Sequence, residues 1–316
     1  MEKKICSFLP AVTQIIYDLG LQDDLQGVTF ECPERARQEK PILVRCVLED
    51  KEYSSQEIDA IFSASKAEGR SLYYVEEELL QQIHPDIIFT QDVCEVCQID
   101  TACTSAAIAQ LDPSPELMAI SPDTLHDVFD SVVQIARVFG KEEKAFERLA
   151  EYRHRIDVIV DTQRKHRLLP RRVLMLEWID PLFNCGHWIP DQLAYAGGID
   201  MLSNPGGDSI RLDFEKIKKY NPEVIVLAPC GYHIDRARKD MYQLTQAEGW
   251  NEIKAVQDQA VYLADFDLFT QPSASTLVDG ISLLAALFHP EYCFVMPHLQ
   301  DKVAPFYETE SLIQYV

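Results

Sequence analysis

Apolar residues recur along this chain in two alternating rhythms. Short apolar runs at Lys4–Leu9, Leu25–Phe30, Ser71–Val75 and Asp86–Thr90 read as strands. Stretches with helical spacing at Ala11–Leu19, Ser55–Glu68 and Glu76–Ile83 read as the helices between them. Gly20 and Gly69 stop two of those helices, and Ser54 with Glu57 makes a capping box ahead of one. The alternation returns later: strands at Arg172–Trp178, Glu223–Ala228 and Ala260–Ala264, helices at Pro190–Ala196 and Phe214–Tyr220. One junction occurs twice. Ile83-His84-Pro85-Asp86-Ile87-Ile88 and Tyr220-Asn221-Pro222-Glu223-Val224-Ile225 each end a helix at proline and enter a buried strand. The repeat unit is domain-sized, far longer than that of a solenoid.

The middle of the chain differs. Ser121-Pro122-Asp123 caps a helix predicted to run to Phe139 and stop at Gly140. Lys141–Arg167 then has no proline or glycine, with apolar residues at Ala145, Phe146, Leu149, Ala150, Tyr152, Ile156 and Val160. A helix of that length would be about 40 Å long, a stiff spine rather than a flexible linker. The fold class this predicts is α/β: two Rossmann-like lobes, each a mainly parallel sheet with flanking helices, joined by the spine helix around a ligand cleft. The expected division is an N-terminal lobe over 1–121, connecting helices over 122–169 and a C-terminal lobe over 170–316. Parallel sheets of this kind hold ligands beyond the carboxyl ends of their strands, so the loops there are where chemistry is sought.

The bulk numbers narrow the choice of partner. A chain of 316 residues, 47% hydrophobic, can fill two cores. A net charge of −22 repels phosphate backbones and anionic lipid, so neither nucleic acid nor a membrane surface is the expected partner. Membrane insertion is not expected either, because no stretch approaches the roughly 18 apolar residues of a span. Pro10 ends the first apolar run at once, which reads as a strand rather than an export signal, so a cytoplasmic location is expected. Nine irregularly spaced cysteines do not read as a disulfide framework.

Aromatic residues collect at the predicted strand ends. Trp178, Phe183, Trp188, Tyr232, Phe266 and Phe269 do so in the second half, Phe8 and Phe30 in the first. Flat apolar walls suit a large ring-shaped ligand, while single aromatics in such places also cap cores. His187, near Glu177, Asp180 and Asp191, is a candidate for ligating a cobalt or iron centre or simply for hydrogen bonding, with His233 a second such imidazole. Cys32, Cys94, Cys97, Cys185 and Cys230 also fall at strand ends. Cys94-Glu95-Val96-Cys97 is a Cys-x-x-Cys motif of the kind that takes zinc or an iron–sulfur cluster, although idle buried thiols fit equally. Nucleophile-elbow, phosphate-loop and His-Glu-x-x-His patterns are missing, which points to binding rather than catalysis.

Several segments together resemble a known family. Ser7-Phe8-Leu9-Pro10-Ala11-Val12-Thr13-Gln14-Ile15 is similar to the opening strand and helix of the helical-backbone substrate-binding proteins of ABC importers. Ser71-Leu72-Tyr73, Glu77-Glu78-Leu79-Leu80 and Pro85-Asp86-Ile87-Ile88 are similar to their mid-lobe pattern. Gly186-His187-Trp188-Ile189-Pro190, Ala196-Gly197-Gly198 and Ala228-Pro229-Cys230-Gly231-Tyr232 look like segments of the cobalamin-binding type. The resemblance covers about residues 4–290. It implies a small-molecule ligand held between two lobes, a corrinoid such as cobalamin or another metal chelate, since the wider family also takes haem, siderophores and metal ions. The alternative is a cytosolic metal or iron–sulfur protein, even an enzyme, with its centre on the cysteines. Docking to a transporter is not expected of an unexported chain. Where relatives carry a Pro-Gly-Pro-Arg-like turn, this chain has Gln271-Pro272-Ser273-Ala274-Ser275, so the resemblance does not carry the ligand over there.

Overall fold

The computed structural model describes residues 3–307 other than 50, 69, 92–100 and 110. The chain divides into two compact units, Met1–Pro122 with Asp130–Phe146, and Asp123–Phe129 with Glu147–Val316.

The first unit contains β1 (Ile5–Ser7), α1 (Pro10–Asp18), β2 (Leu25–Thr29), α2 (Glu34–Glu39), β3 (Ile42–Cys46), α3 (Ser55–Glu68), β4 (Tyr73–Val75), α4 (Glu77–Ile83), β5 (Ile87–Thr90), α5 (Thr101–Ile108) and β6 (Glu116–Ala119). Its sheet has the order β4-β3-β2-β1-β5-β6 and is parallel except for β4, which runs antiparallel on β3. The central strands β1 and β5 are buried throughout, as helix-covered parallel strands must be. Cys6, Phe8, Leu43, Leu80 and Ile88 share the core beneath them. The capping box predicted for α3 is present: Glu57 Oε2 accepts from the Ser54 amide at 2.8 Å, and Ser54 Oγ accepts from the Glu57 amide at 3.2 Å.

Two helices follow, α6 (Leu125–Val138) and α7 (Glu142–His166). The cap of α6 lies at Thr124 rather than Ser121. Asp127 Oδ2 accepts from the Thr124 amide at 2.9 Å while Thr124 Oγ1 accepts from the Asp127 amide at 3.2 Å. Along α7, Ala145, Leu149, Tyr152 and Ile156 form one buried line at the spacing of successive helical turns. Phe146, off that line, is exposed.

The second unit contains β7 (Arg171–Trp178), β8 (Phe183–Asn184), β9 (Gly186–His187), α8 (Ile189–Tyr195), β10 (Gly198–Ile199), β11 (Asn204–Pro205), α9 (Phe214–Tyr220), β12 (Val224–Leu227), α10 (Ile234–Thr245), α11 (Lys254–Gln257), β13 (Val261–Ala264), α12 (Ala274–Phe288) and β14 (Val303–Pro305). Its main sheet has the order β10-β7-β12-β13-β14, with β8 antiparallel on β7 and β14 antiparallel on β13. A small parallel pair, β9 and β11, stands apart from it.

The repeated junction has one job in both units. His84 and Asn221 close α4 and α9 in the left-handed conformation, and each amide donates to the carbonyl four residues back. Each proline that follows leads into a strand, β5 or β12, that pairs in parallel with the first strand of its own unit, β1 or β7.

Candidate functional site

In the second unit β7, β12 and β13 are neighbours, so their carboxyl-end loops meet. The Cys230 amide donates to the Glu177 carbonyl at 3.1 Å, tying the loop after β12 to the end of β7. The Phe266 amide donates to the Tyr232 carbonyl at 3.3 Å, tying the loop after β13 to the loop after β12. These backbone bonds bring together loops that carry two pairs of rings. Trp178 and Tyr232 lie 5.1 Å apart between centroids, and His233 meets Phe266 edge-on at 5.3 Å. The Arg236 guanidinium sits 4.9 Å from the Tyr232 centroid, a cation over a ring face.

Polar groups hold this arrangement. Both oxygens of Glu177 are engaged: Oε1 accepts from the Gly186 amide at 3.0 Å and Oε2 from the Ser209 hydroxyl at 2.6 Å. Asp265, at the end of β13, accepts on Oδ2 from His233 Nδ1 at 2.8 Å and pairs with Lys302 Nζ at 3.4 Å. Lys302 also donates to Asp267 at 2.7 Å. The other oxygens of Asp265 and Asp267 are buried without a hydrogen-bond partner. Burial first, then the Asp265 charge, pushes the Asp267 carboxyl up.

The structure distributes the expected aromatic residues unequally. Trp178, Phe183 and Phe266 are half-buried at strand ends, and Tyr232 is buried beneath the Arg236 cation. Phe8 and Phe269 are wholly inside their cores, so they brace the loops from below and present no face to a ligand. Trp188 is buried too, its indole N–H donating to the Phe269 carbonyl at 2.6 Å. Phe30 packs near Tyr73, 6.4 Å between centroids, at the margin of the first core.

His187 is less open than its loop position implies. It stacks on Trp188 at 5.3 Å, its Nε2 lies 3.6 Å from Asp208, and its Nδ1 is buried without a partner. Its backbone is left-handed (φ 49°) and is fixed by pairing with the Pro205–Gly207 turn. Gly186 makes that pairing possible, since an added Cβ would collide with the Gly207 carbonyl oxygen and the Ser209 nitrogen. Asp191, expected beside His187, instead accepts from the Leu125 amide at 3.0 Å.

A metal centre built on the cysteines is not assembled among the described residues, where no group of three His, Cys, Asp or Glu side chains could hold an ion. Cys32 is buried in the first unit and donates to Thr13 Oγ1 at 3.1 Å; burial raises its thiol pKa. Cys185 is buried in the second unit. Burial, then the Asp200 and Glu177 charges, pushes its thiol far up, which opposes the thiolate a metal requires. Cys230 is half-buried, and Cys94 and Cys97 lie outside the described residues. Next to Cys32, Glu31 is held up at about 7 by burial and by the charge of Glu49.

Sequence reading passed over Asp265, Arg236 and Lys302, which organise the loop cluster. Asp265 had a usable signal, since it directly follows the recognised strand at Ala264. Lys302 had none, because it arrives from a segment far along the chain.

Residues 5–268 match the family model described as periplasmic binding protein. No curated protein sequence matches the chain. The fold is similar to that of an ABC transporter substrate-binding protein from Listeria monocytogenes, at 16% identity, TM-score 0.68, and coverage of 92% of this chain and 100% of that one. It is similar to a periplasmic heme binding protein from Pseudomonas aeruginosa, at 18% identity, TM-score 0.67, and coverage of 92% and 94%. It is also similar to a periplasmic vitamin B12 binding protein of Vibrio cholerae, at 18% identity, TM-score 0.62, and coverage of 92% and 98%. With the family match spanning most of its length and the parallel α/β sheets it requires in both units, this chain belongs to the periplasmic binding protein family.

Proposed function

We propose that this protein binds a large metal-centred ring, a corrinoid ahead of a haem, at the carboxyl-end loops of the second unit. The carrying observation is the adjacency of Trp178, Tyr232, His233 and Phe266, flat rings set beside an imidazole by the neighbouring strands β7, β12 and β13. Rings of this size gain most of their binding free energy from apolar faces, with a few polar groups fixing orientation. The similar proteins whose names include heme or vitamin B12 support a ligand of this class. The identification of a corrinoid rests further on the Gly186–Pro190 and Ala228–Tyr232 segments.

Titration of the purified protein with cyanocobalamin and with hemin, followed by tryptophan fluorescence, tests this reading. Trp178 belongs to the cluster, so micromolar cyanocobalamin is expected to quench emission saturably. Absence of quenching by both rings at that concentration would overturn the proposal.

A further inference from the structure

Resting on the reading just proposed, we infer that His233 is the axial ligand this protein offers to the metal of its ring-shaped cargo, and that Asp265 is the residue that positions it.

Two imidazoles lie near the loop cluster, and their surroundings separate them. The His187 side chain is 16% exposed, is stacked on Trp188 and has Asp208 beside its Nε2. The His233 side chain is 70% exposed, although the Asp265 carboxylate it bonds is only 7% exposed. A carboxylate only accepts, so Nδ1 carries the hydrogen of that 2.8 Å bond. In the neutral ring Nε2 is therefore left with its lone pair, on the side away from Asp265. A carboxylate behind an imidazole is the arrangement that fixes the tautomer and the ring orientation of metal-ligating histidines. Phe266 holds the ring edge-on, and Lys302 balances the carboxylate so that it stays in place.

The stoichiometry of donors suits a ring rather than a bare ion. One imidazole supplies one bond. A corrinoid or haem brings four in-plane nitrogens of its own and needs protein donors only on its axis. In the exchange, Nε2 donates its lone pair to the metal and the water on that face leaves as water. The oxidation state of the metal is unchanged.

The test compares aquocobalamin, which has an exchangeable axial water, with cyanocobalamin, whose axial cyanide does not leave readily. With the native protein, aquocobalamin is expected to show a shifted cobalt absorption spectrum and to bind about 10-fold or more tightly than cyanocobalamin. His233→Ala is expected to abolish the spectral shift and bring the affinity ratio to one. Asp265→Asn should reduce the ratio about 10-fold, the usual effect of removing the group behind a metal-bound histidine. Circular dichroism establishes that each variant is folded, and His233→Gln provides a second variant of similar size. If both corrinoids quench tryptophan emission but the ratio and spectrum are the same in native protein and in His233→Ala, the ligand assignment is wrong and the binding reading stands. If neither corrinoid nor hemin binds the native protein, both are wrong.

Discussion

His84 and Asn221 share one backbone conformation, φ 51° and ψ 68° at the first and φ 50° and ψ 68° at the second, although 137 positions separate them (221 − 84). Each is the last word of a helix and each precedes a proline that opens a central strand. Left-handed backbone costs an ordinary L-residue about 1–2 kcal/mol, and a β-branched residue tolerates it worst. His84→Val and Asn221→Val are therefore each expected to lower stability by about 1–2 kcal/mol, read as a reduced urea midpoint. His84→Gly should cost less than His84→Val; equal losses would show that something other than φ sets the effect.

Trp178 carries the most distinctive binding prediction. Its ring is half-buried and tilted against Tyr232. Aromatic pairs contribute up to about 1.5 kcal/mol beyond the area they bury, close to a tenfold change in affinity. Trp178→Ala should weaken cyanocobalamin binding by about 10-fold in a calorimetric titration, with no loss of helical circular dichroism.

Glu31 gives a pH dependence with a definite sign. Its pKa stands at about 7 in the folded chain against an ordinary value of 4.5, so between those values the folded state holds more protons than the unfolded one. Stability contributed at this site is then present at low pH and lost as pH rises from about 4.5 to 7, the reverse of a salt-bridged carboxylate. Glu31→Gln should raise the melting temperature at pH 8 while leaving it nearly unchanged at pH 4.5. A gain of equal size at both values would contradict the assignment.

The thiols divide by environment. Cys6 is pushed to about 12 by burial, and Cys32 and Cys185 are also buried and raised. Only a thiolate attacks an alkylating reagent. Iodoacetamide at pH 8 should modify half-buried Cys230 in the native protein and reach Cys6, Cys32 and Cys185 only after unfolding, as read by peptide mass spectrometry.

Gly186 links backbone geometry to the site. Gly186→Ala should destabilise the protein by about 1–3 kcal/mol, the usual penalty for forcing an atom into a packed position. It should also weaken ligand binding, because Glu177 orients itself on the Gly186 amide.

The elements legible in the sequence are those whose two faces have a single fate. β1, β5 and β12 are buried along their whole length and β7 over Val173–Leu176, so they read as mainly apolar runs next to helices with clear stops. β3 escaped notice because Pro41 precedes it and Arg45 interrupts it, and β6 because its ends are exposed. α12 is apolar nearly all round, so it shows little helical contrast despite fifteen residues. For the site, the sequence marks which loops matter but not which way their side chains face. Trp188 and Phe269 sit in the expected loops yet turn inward, because the indole N–H of Trp188 finds its acceptor in the Phe269 carbonyl. His233 gained its importance from Asp265, a partner 32 positions away that no spacing rule connects to it.

β14 carries a consequence for how the chain matures. It is the outer partner of β13, with Tyr262 opposite Pro305 and Ala264 opposite Val303, and Arg238 grips its end through the Pro305 and Phe306 carbonyls. On a ribosome, β13 is made about forty residues before that partner emerges, and until then its open edge is free to pair with any other extended chain. The same late segment delivers Lys302 to Asp265 and Asp267. Closing the sheet and neutralising the site are thus one event in the life of a nascent molecule, and truncation before Lys302 should yield a protein that both aggregates and holds its loop carboxylates uncompensated.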